Sequence, residues 1–177
     1  IGTHHTNATG DRPMYPECRG VCVDEAVNYN REIYAELICD ENGIHQDADM
    51  IKLLVKSKGV ERVILITDHM ADKDHYTNNE AEGILYGPDL NYDYRGYLCG
   101  SRMTLENGCR NMMTHTGYGL CHSIRMATIN PARMLGIDDE VGSLEAGKKA
   151  NLIIDDAVRV KKVILQGDLM VENGKLL

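Results

Sequence analysis

Three side chains capable of chemistry stand at the ends of apolar segments. His4 lies in the first segment, Ile1-Gly-Thr-His-His. His45 falls a few residues past Ile33-Tyr-Ala-Glu-Leu-Ile-Cys39, and Asp68 closes Arg62-Val-Ile-Leu-Ile-Thr67. Imidazoles and a carboxylate can bind a metal ion or move protons, provided that the fold brings the strand ends together. In an α/β barrel it does, because the loops that follow the strands converge on one face. Taken singly, the same residues have ordinary readings: Thr-Asp after an apolar strand commonly caps a helix, and a lone histidine commonly serves as a structural hydrogen bonder.

The elements that must position these residues follow from patterning. Residues 33–39 and 62–67 are short, apolar, rich in β-branched residues and bounded by turn residues, as buried parallel strands are. Between them, Ala48 to Lys58 places Met50, Ile51, Leu54 and Val55 on one side and Lys52, Lys56 and Lys58 elsewhere, which predicts a helix packed on the sheet. Strand, helix and strand make a right-handed βαβ unit. A polar stretch then runs to Glu82, and Gly83 to Gly100 reads as a loop leading into an irregular hairpin.

Helical spacing returns over Met103 to Thr114 and Leu120 to Thr128. Asn130-Pro131 reads as an N-cap followed by proline at the first helical position, opening Ala132 to Leu135. From Gly142 the pattern changes to short strands over 150–154, 158–165 and 169–171, with turns at Gly167-Asp168 and Asn173-Gly174. The organisation is α/β over residues 1–138 and a separate small β element over 139–177.

A net charge of -8 and a pI near 5.3 argue against a nucleic-acid or anionic-membrane surface, since both partners select for clustered Lys and Arg. No apolar run approaches the length that spans a bilayer, and no signal peptide is visible. The six cysteines include no C-x-x-C pair, and three stand in apolar or helix-like contexts, so a reducing, cytoplasmic compartment is expected. The chain opens on Ile1, directly in a motif-like segment, and is expected to be part of something longer.

Six segments carry a resemblance. Thr3-His4-His5-Thr6-Asn7-Ala8 is similar to the Thr-His-x-x-Asn-Ala signature of N-acetylglucosamine-6-phosphate deacetylases. Tyr34-Ala-Glu-Leu-Ile-Cys-Asp-Glu-Asn-Gly-Ile-His45 resembles their strand ending in Asp-Gly-x-His, and Val63-Ile-Leu-Ile-Thr-Asp68 their Val-Thr-Asp. Leu98-Cys-Gly-Ser101 with the helix from Met103 to Asn111 matches as well. Arg125-Met-Ala-Thr-Ile-Asn-Pro-Ala-Arg133 and the segment from Gly142 to Leu152 are shared across the wider amidohydrolase superfamily. The resemblance implies an α/β fold, the C-terminal part of a (β/α)8 metal-dependent hydrolase barrel followed by a small β element of a composite β-sandwich. It implies hydrolysis of the acetamide of N-acetylglucosamine 6-phosphate, with His4 as a ligand to a divalent zinc or iron ion and Asp68 as general acid/base. Asn7 and Ala8 would hold the sugar phosphate, His45 would contact the substrate near its acetamide, and Leu98 would be a further substrate contact. A homo-oligomer is expected.

The sequence also departs from that family. Only His4 can be placed as a metal ligand, whereas a catalytic site usually needs three, so the isolated chain is not expected to retain a metal ion. His69, His75, His115 and His122 stand at no ligand position of the motifs. Met14-Tyr-Pro-Glu17 replaces the family's Arg-x-Pro-Gly, leaving Arg12 or Arg19 as substitutes, and Cys99 and Arg102 replace small residues. Two alternatives stand beside the deacetylase reading: a non-catalytic, self-associating remnant, and an amidohydrolase with a different amide substrate. Three of eight barrel strands would leave open parallel edges and expose the apolar faces of 33–39 and 62–67.

Overall fold

The computed structural model describes residues 1–10, 21–70, 89–93 and 95–177. Arg12, Met14 to Glu17, Cys18, Arg19, His75 and the polar stretch to Glu82 lie outside the described residues. The elements are α1 (Val23–Tyr29), β1 (Ala35–Ile38), α2 (Ala48–Lys58), β2 (Val63–Ile66), β3 (Leu90–Tyr92), β4 (Leu98–Ser101) and α3 (Leu105–Thr116). They continue with α4 (Leu120–Ala127), α5 (Ile129–Leu135), β5 (Leu152–Asp155), β6 (Val160–Leu165), β7 (Asp168–Glu172) and β8 (Lys175–Leu176).

The βαβ unit forms as its patterning predicts. β1 and β2 pair in parallel, in register from Ala35 opposite Val63 to Ile38 opposite Ile66. The parallel layer extends on both sides, because Gly2 bridges to Ala35 and His69 bridges to Ser101 at the end of β4. Four chain segments therefore stand side by side where three strands are expected from sequence. β3 and β4 form the antiparallel, bulged hairpin.

Ala35, Leu37, Cys39, Val63 and Leu65 pack with Ile51, Leu54 and Val55 of α2, Cys109 and Met112 of α3 and Met126 of α4 in one core. Ile38 and Ile64, on the alternate positions, are only 2% and 3% exposed. The expected exposure of the apolar faces of 33–39 and 62–67 is thus corrected in part: one face packs on α2, α3 and α4, and on the other Ile38 and Ile64 are buried while Ile66 is half-buried. The exposed large apolar side chains include Ile153, Leu165, Leu169, Leu176 and Leu177 of the C-terminal segment instead.

Two local expectations are also corrected. Lys58, placed on the polar side of α2, is buried, because its ammonium donates to the carbonyls of Val27 (2.8 Å) and Asn30 (2.5 Å) at the end of α1. Met50 is 36% exposed, at the margin of the packed face. Asn130 is not an N-cap: α5 begins one residue earlier, and the buried Asn130 amide donates to Val60 O (2.6 Å) and Val63 O (2.8 Å), fastening α5 to the start of β2. Pro131 still falls in the first helical turn, where its missing N–H leaves no bond unmade.

The last segment is an antiparallel meander in the order β5-β6-β7-β8, open at β5 and β8. Its first tight turn is Gln166-Gly167, one residue before the expected Gly167-Asp168, because Leu165 pairs with Asp168. Both turn residues have positive φ (53° and 96°), as do Asn173 and Gly174 (51° and 75°), the backbone that matches strand twist in two-residue hairpins. α3 holds this meander: Arg110 Nη1 donates to Val158 O (2.5 Å), and Glu106 Oε2 accepts from Val160 N (2.9 Å).

Candidate active site at the strand ends

The loop after Gly2 is built from unfavourable backbone. His4, Thr6 and Ala8 all have positive φ (32°, 64° and 54°), and a β-branched residue there is a genuine outlier that its surroundings must impose. Those surroundings are polar. His5 N donates to Glu36 O (2.8 Å), while the Asp24 carboxylate accepts from Thr6 N (3.1 Å) and Thr9 Oγ1 (2.6 Å). His5, 1% exposed, directs Nε2 at Asn28 Oδ1 (3.1 Å) and Nδ1 at Asp24 Oδ1 (3.2 Å). Burial holds His5 below the ordinary imidazole value, against the opposing pull of Asn28 and Asp24.

In the same loop the half-buried His4 places Nδ1 2.8 Å from Asn7 O. Asn7 Nδ2 donates to His45 O (3.0 Å), and Gln46 Nε2 donates to Thr6 Oγ1, so the first loop is stitched to the loop after β1. That second loop is organised by Asp40, which is fully buried. Its carboxylate accepts from Ile44 N (2.7 Å) and His45 N (2.9 Å) and lies 3.1 Å from His45 Nδ1. Burial alone would raise the Asp40 carboxyl, but the bonds from the His45 ring and the two amides outweigh it and hold the group below the usual carboxylate range.

His45 is 4% exposed, and its Nε2 donates to Gly100 O (3.1 Å) on β4. Gly100 in turn touches the third loop. An added Cβ there would lie 2.6 Å from Asp68 O, and φ is 65°, so only glycine fits. Asp68 itself is exposed, with φ 48°. The structure therefore brings Asn7, His45 and Asp68 into one hydrogen-bonded rim, through Gly100 and Ser101, with His4 on the same loop as Asn7. Ala8 is exposed, and Leu98 is half-buried and pairs with Tyr92 at the start of β4.

Sequence reasoning quoted Asp40 and Gly100 inside motifs without giving them a task. The available signal was the spacing from Asp40 to His45, which lets a carboxylate close its own loop. Asp24 and α1 were not singled out. Of the remaining histidines, His69 Nδ1 contacts Met103 O (3.2 Å), His115 Nε2 donates to Asp40 O (2.8 Å), and the His122 ring lies edge-on to Tyr118. Each makes a structural contact. Among the described residues, no group of three or more His, Cys, Asp or Glu side chains is placed to hold a metal ion. A surface recess of about 690 Å³, lined by Arg133, Asp138, Glu145 and Lys148 among others, includes none of the strand-end residues. Among the described residues no helix is long and apolar enough to cross a membrane.

Parallel strands backed by helices, with a carboxylate and imidazoles gathered at the carboxyl ends, define a barrel-type hydrolase edge. The amidohydrolase family model matches residues 14–170, and the chain belongs to that family. A protein of Escherichia coli (strain K12), named for N-acetylgalactosamine-6-phosphate deacetylation, is 32% identical over 145 residues, covering 79% of this chain and 84% of that one. The N-acetylgalactosamine-6-phosphate deacetylase of Escherichia coli O157:H7 is likewise 32% identical over 145 residues, but the match covers 37% of it. The crystal structure of N-acetylglucosamine-6-phosphate deacetylase from Pasteurella multocida superposes with a TM-score of 0.76 at 28% identity, covering 94% of this chain and 43% of that one. The chain thus spans less than half the length of these last two proteins.

Proposed function

We propose that this chain is the C-terminal portion of the catalytic unit of an amino-sugar-phosphate deacetylase, hydrolysing the acetamide of N-acetylglucosamine 6-phosphate or its galacto counterpart. The observation that carries the reading is the rim itself: the Thr-His-x-x-Asn-Ala loop, His45 and Asp68 are joined at one sheet edge. An amide has a poor leaving group, so its hydrolysis needs a base for the attacking water and an acid for the departing amine. Asp68, exposed at the rim, accepts the proton from water and returns it to the amine. Asn7 and Ala8 hold the sugar phosphate, and Leu98 contacts the sugar. His45, whose Nε2 holds the Gly100 carbonyl, contacts the substrate near its acetamide.

The amidohydrolase family generally uses a divalent metal ion. The residues described here do not make such a site alone, since no group of three or more His, Cys, Asp or Glu side chains among them is placed to hold an ion. No step is routed through a metal among the described residues. A second reading, a non-catalytic self-associating module, is favoured by the exposed apolar side chains of the open C-terminal meander.

The test is acetate release by the protein from the full reading frame, with both N-acetylhexosamine 6-phosphates and a cyclic ureide as substrates. Release from either sugar phosphate alone supports the proposal. Turnover of the ureide alone assigns a different substrate, and no turnover of any amide favours the second reading.

A further inference from the structure

Asp68 needs an explanation that its own segment does not give. A non-glycine residue at φ 48° persists only where its neighbours over-determine it, and here the neighbours belong to β4. Ser101 N donates to Asp68 O (2.8 Å) and Met70 N donates to Ser101 O (2.9 Å), so the segment is bonded to Ser101 on both sides of His69. Ser101 Oγ donates to Thr67 O and also accepts from Met103 N (3.0 Å), at 0% exposure.

The N–H of Ser101 and the C=O of Gly100 belong to one peptide unit, which is planar and points its two polar groups in opposite directions. Its oxygen is held by His45 Nε2 at 3.1 Å, and its hydrogen is given to Asp68 O. His45 is aimed by Asp40, whose carboxylate takes the backbone and ring nitrogens of His45. Asp40, His45 and Ser101 are all buried, so water does not compete for these bonds.

We propose that Asp40 and Ser101 are positioning residues for Asp68, acting through the rigid Gly100–Ser101 peptide that His45 grips on one side and Asp68 on the other. The catalytic meaning of this coupling rests on Asp68 being the proton-transfer group. The coupling itself does not. Rotating the peptide by loosening His45 withdraws the N–H that keeps Asp68 in its left-handed conformation, and the carboxylate leaves the rim.

The test is nuclear magnetic resonance on the isotope-labelled 177-residue chain, reading the Asp68 amide shift and the H–N–Cα–H coupling that reports its φ. Asp40→Asn is expected to shift the Ser101 and Asp68 amides and to move the Asp68 coupling, although Asp40 touches neither residue. Asp47→Asn, which alters only the α2 cap, is expected to leave both amides in place. A merely local role for Asp40 would confine the changes to Ile44, His45 and their immediate neighbours, and that result overturns the proposal. Should Asp40→Asn fail to fold, Ser101→Ala reads the path in the other direction: the His45 ring signals must move, and their constancy overturns it equally.

In the full-reading-frame protein, Asp40→Asn is expected to lower kcat on the order of 10- to 100-fold with KM little changed, the cost of a misplaced catalytic group. Absence of acetate release from the unsubstituted protein would sink the deacetylase reading and leave the resonance coupling standing. Unmoved Asp68 signals beside normal wild-type turnover would sink the coupling alone.

Discussion

Replacing Gly100 by alanine tests the geometry of the rim without any assumption about function. The new Cβ would stand 2.6 Å from Asp68 O and 2.6 Å from Met70 Cγ, at φ 65°. Met70 is 39% exposed and can swing away, but Asp68 O is backbone and cannot. Left-handed alanine costs roughly 1–2 kcal/mol, and displacing a packed neighbour adds about 1–3 kcal/mol. Alanine returns about 0.4–1 kcal/mol by restricting the unfolded chain. The net loss is about 2–4 kcal/mol, a large share of the roughly 5–15 kcal/mol that holds a domain together. Gly117→Ala is the matched control, because Gly117 has φ 75° and an added Cβ there meets nothing within 4 Å. Urea unfolding of both variants, compared at equal m-values, isolates the contact from the backbone term. If Gly100→Ala costs no more than Gly117→Ala, the close approach of β4 to Asp68 is wrong.

Asn130→Ala removes two buried bonds to the carbonyls of Val60 and Val63 and should cost about 2–3 kcal/mol by urea unfolding, a loss under about 0.5 kcal/mol contradicting the assignment. The depressed Asp40 carboxyl makes a signed prediction. Because its folded value lies below its unfolded one, the stabilisation is present above the unfolded value near 3.8 and is lost as pH falls through the folded value; Asp40→Asn should flatten that acid limb in stability measured against pH, and an unchanged limb counts against it. In the full-reading-frame protein, Asp68→Asn should reduce acetate release by about 10²- to 10⁴-fold while sugar-phosphate binding persists, and near-normal turnover would refute the proton-transfer role.

How much of this was legible in the sequence depended on the range of the interaction. β1, α2 and β2 were readable because continuous apolar runs and a 3.6-residue period are local signals. α1 was missed, since Val23–Tyr29 is too short to display a repeat. Lys58 was misassigned because the carbonyls of α1 that attract it are about thirty residues away in sequence, and no periodicity encodes them. Asn130 before proline looks like a cap, yet tertiary contact with β2 gave its amide better partners. The positions of His4, His45 and Asp68 at strand ends could be read, and the structure joins their loops. Their linkage through Gly100 could not, because it depends on how β4 sits beside β2, and the register of distant strands leaves no mark on either strand alone.

The most direct test of the central claim is metal content and acetate release measured together on the purified 177-residue chain after dialysis. One imidazole from His4 cannot retain an ion, because tight binding needs several pre-oriented ligands and their supporting shell. The account predicts no stoichiometric zinc or iron and no acetate from either N-acetylhexosamine 6-phosphate, with turnover appearing only in the full-reading-frame protein. One tightly held metal per chain together with measurable acetate release would contradict it, and would show that these residues complete a site among themselves.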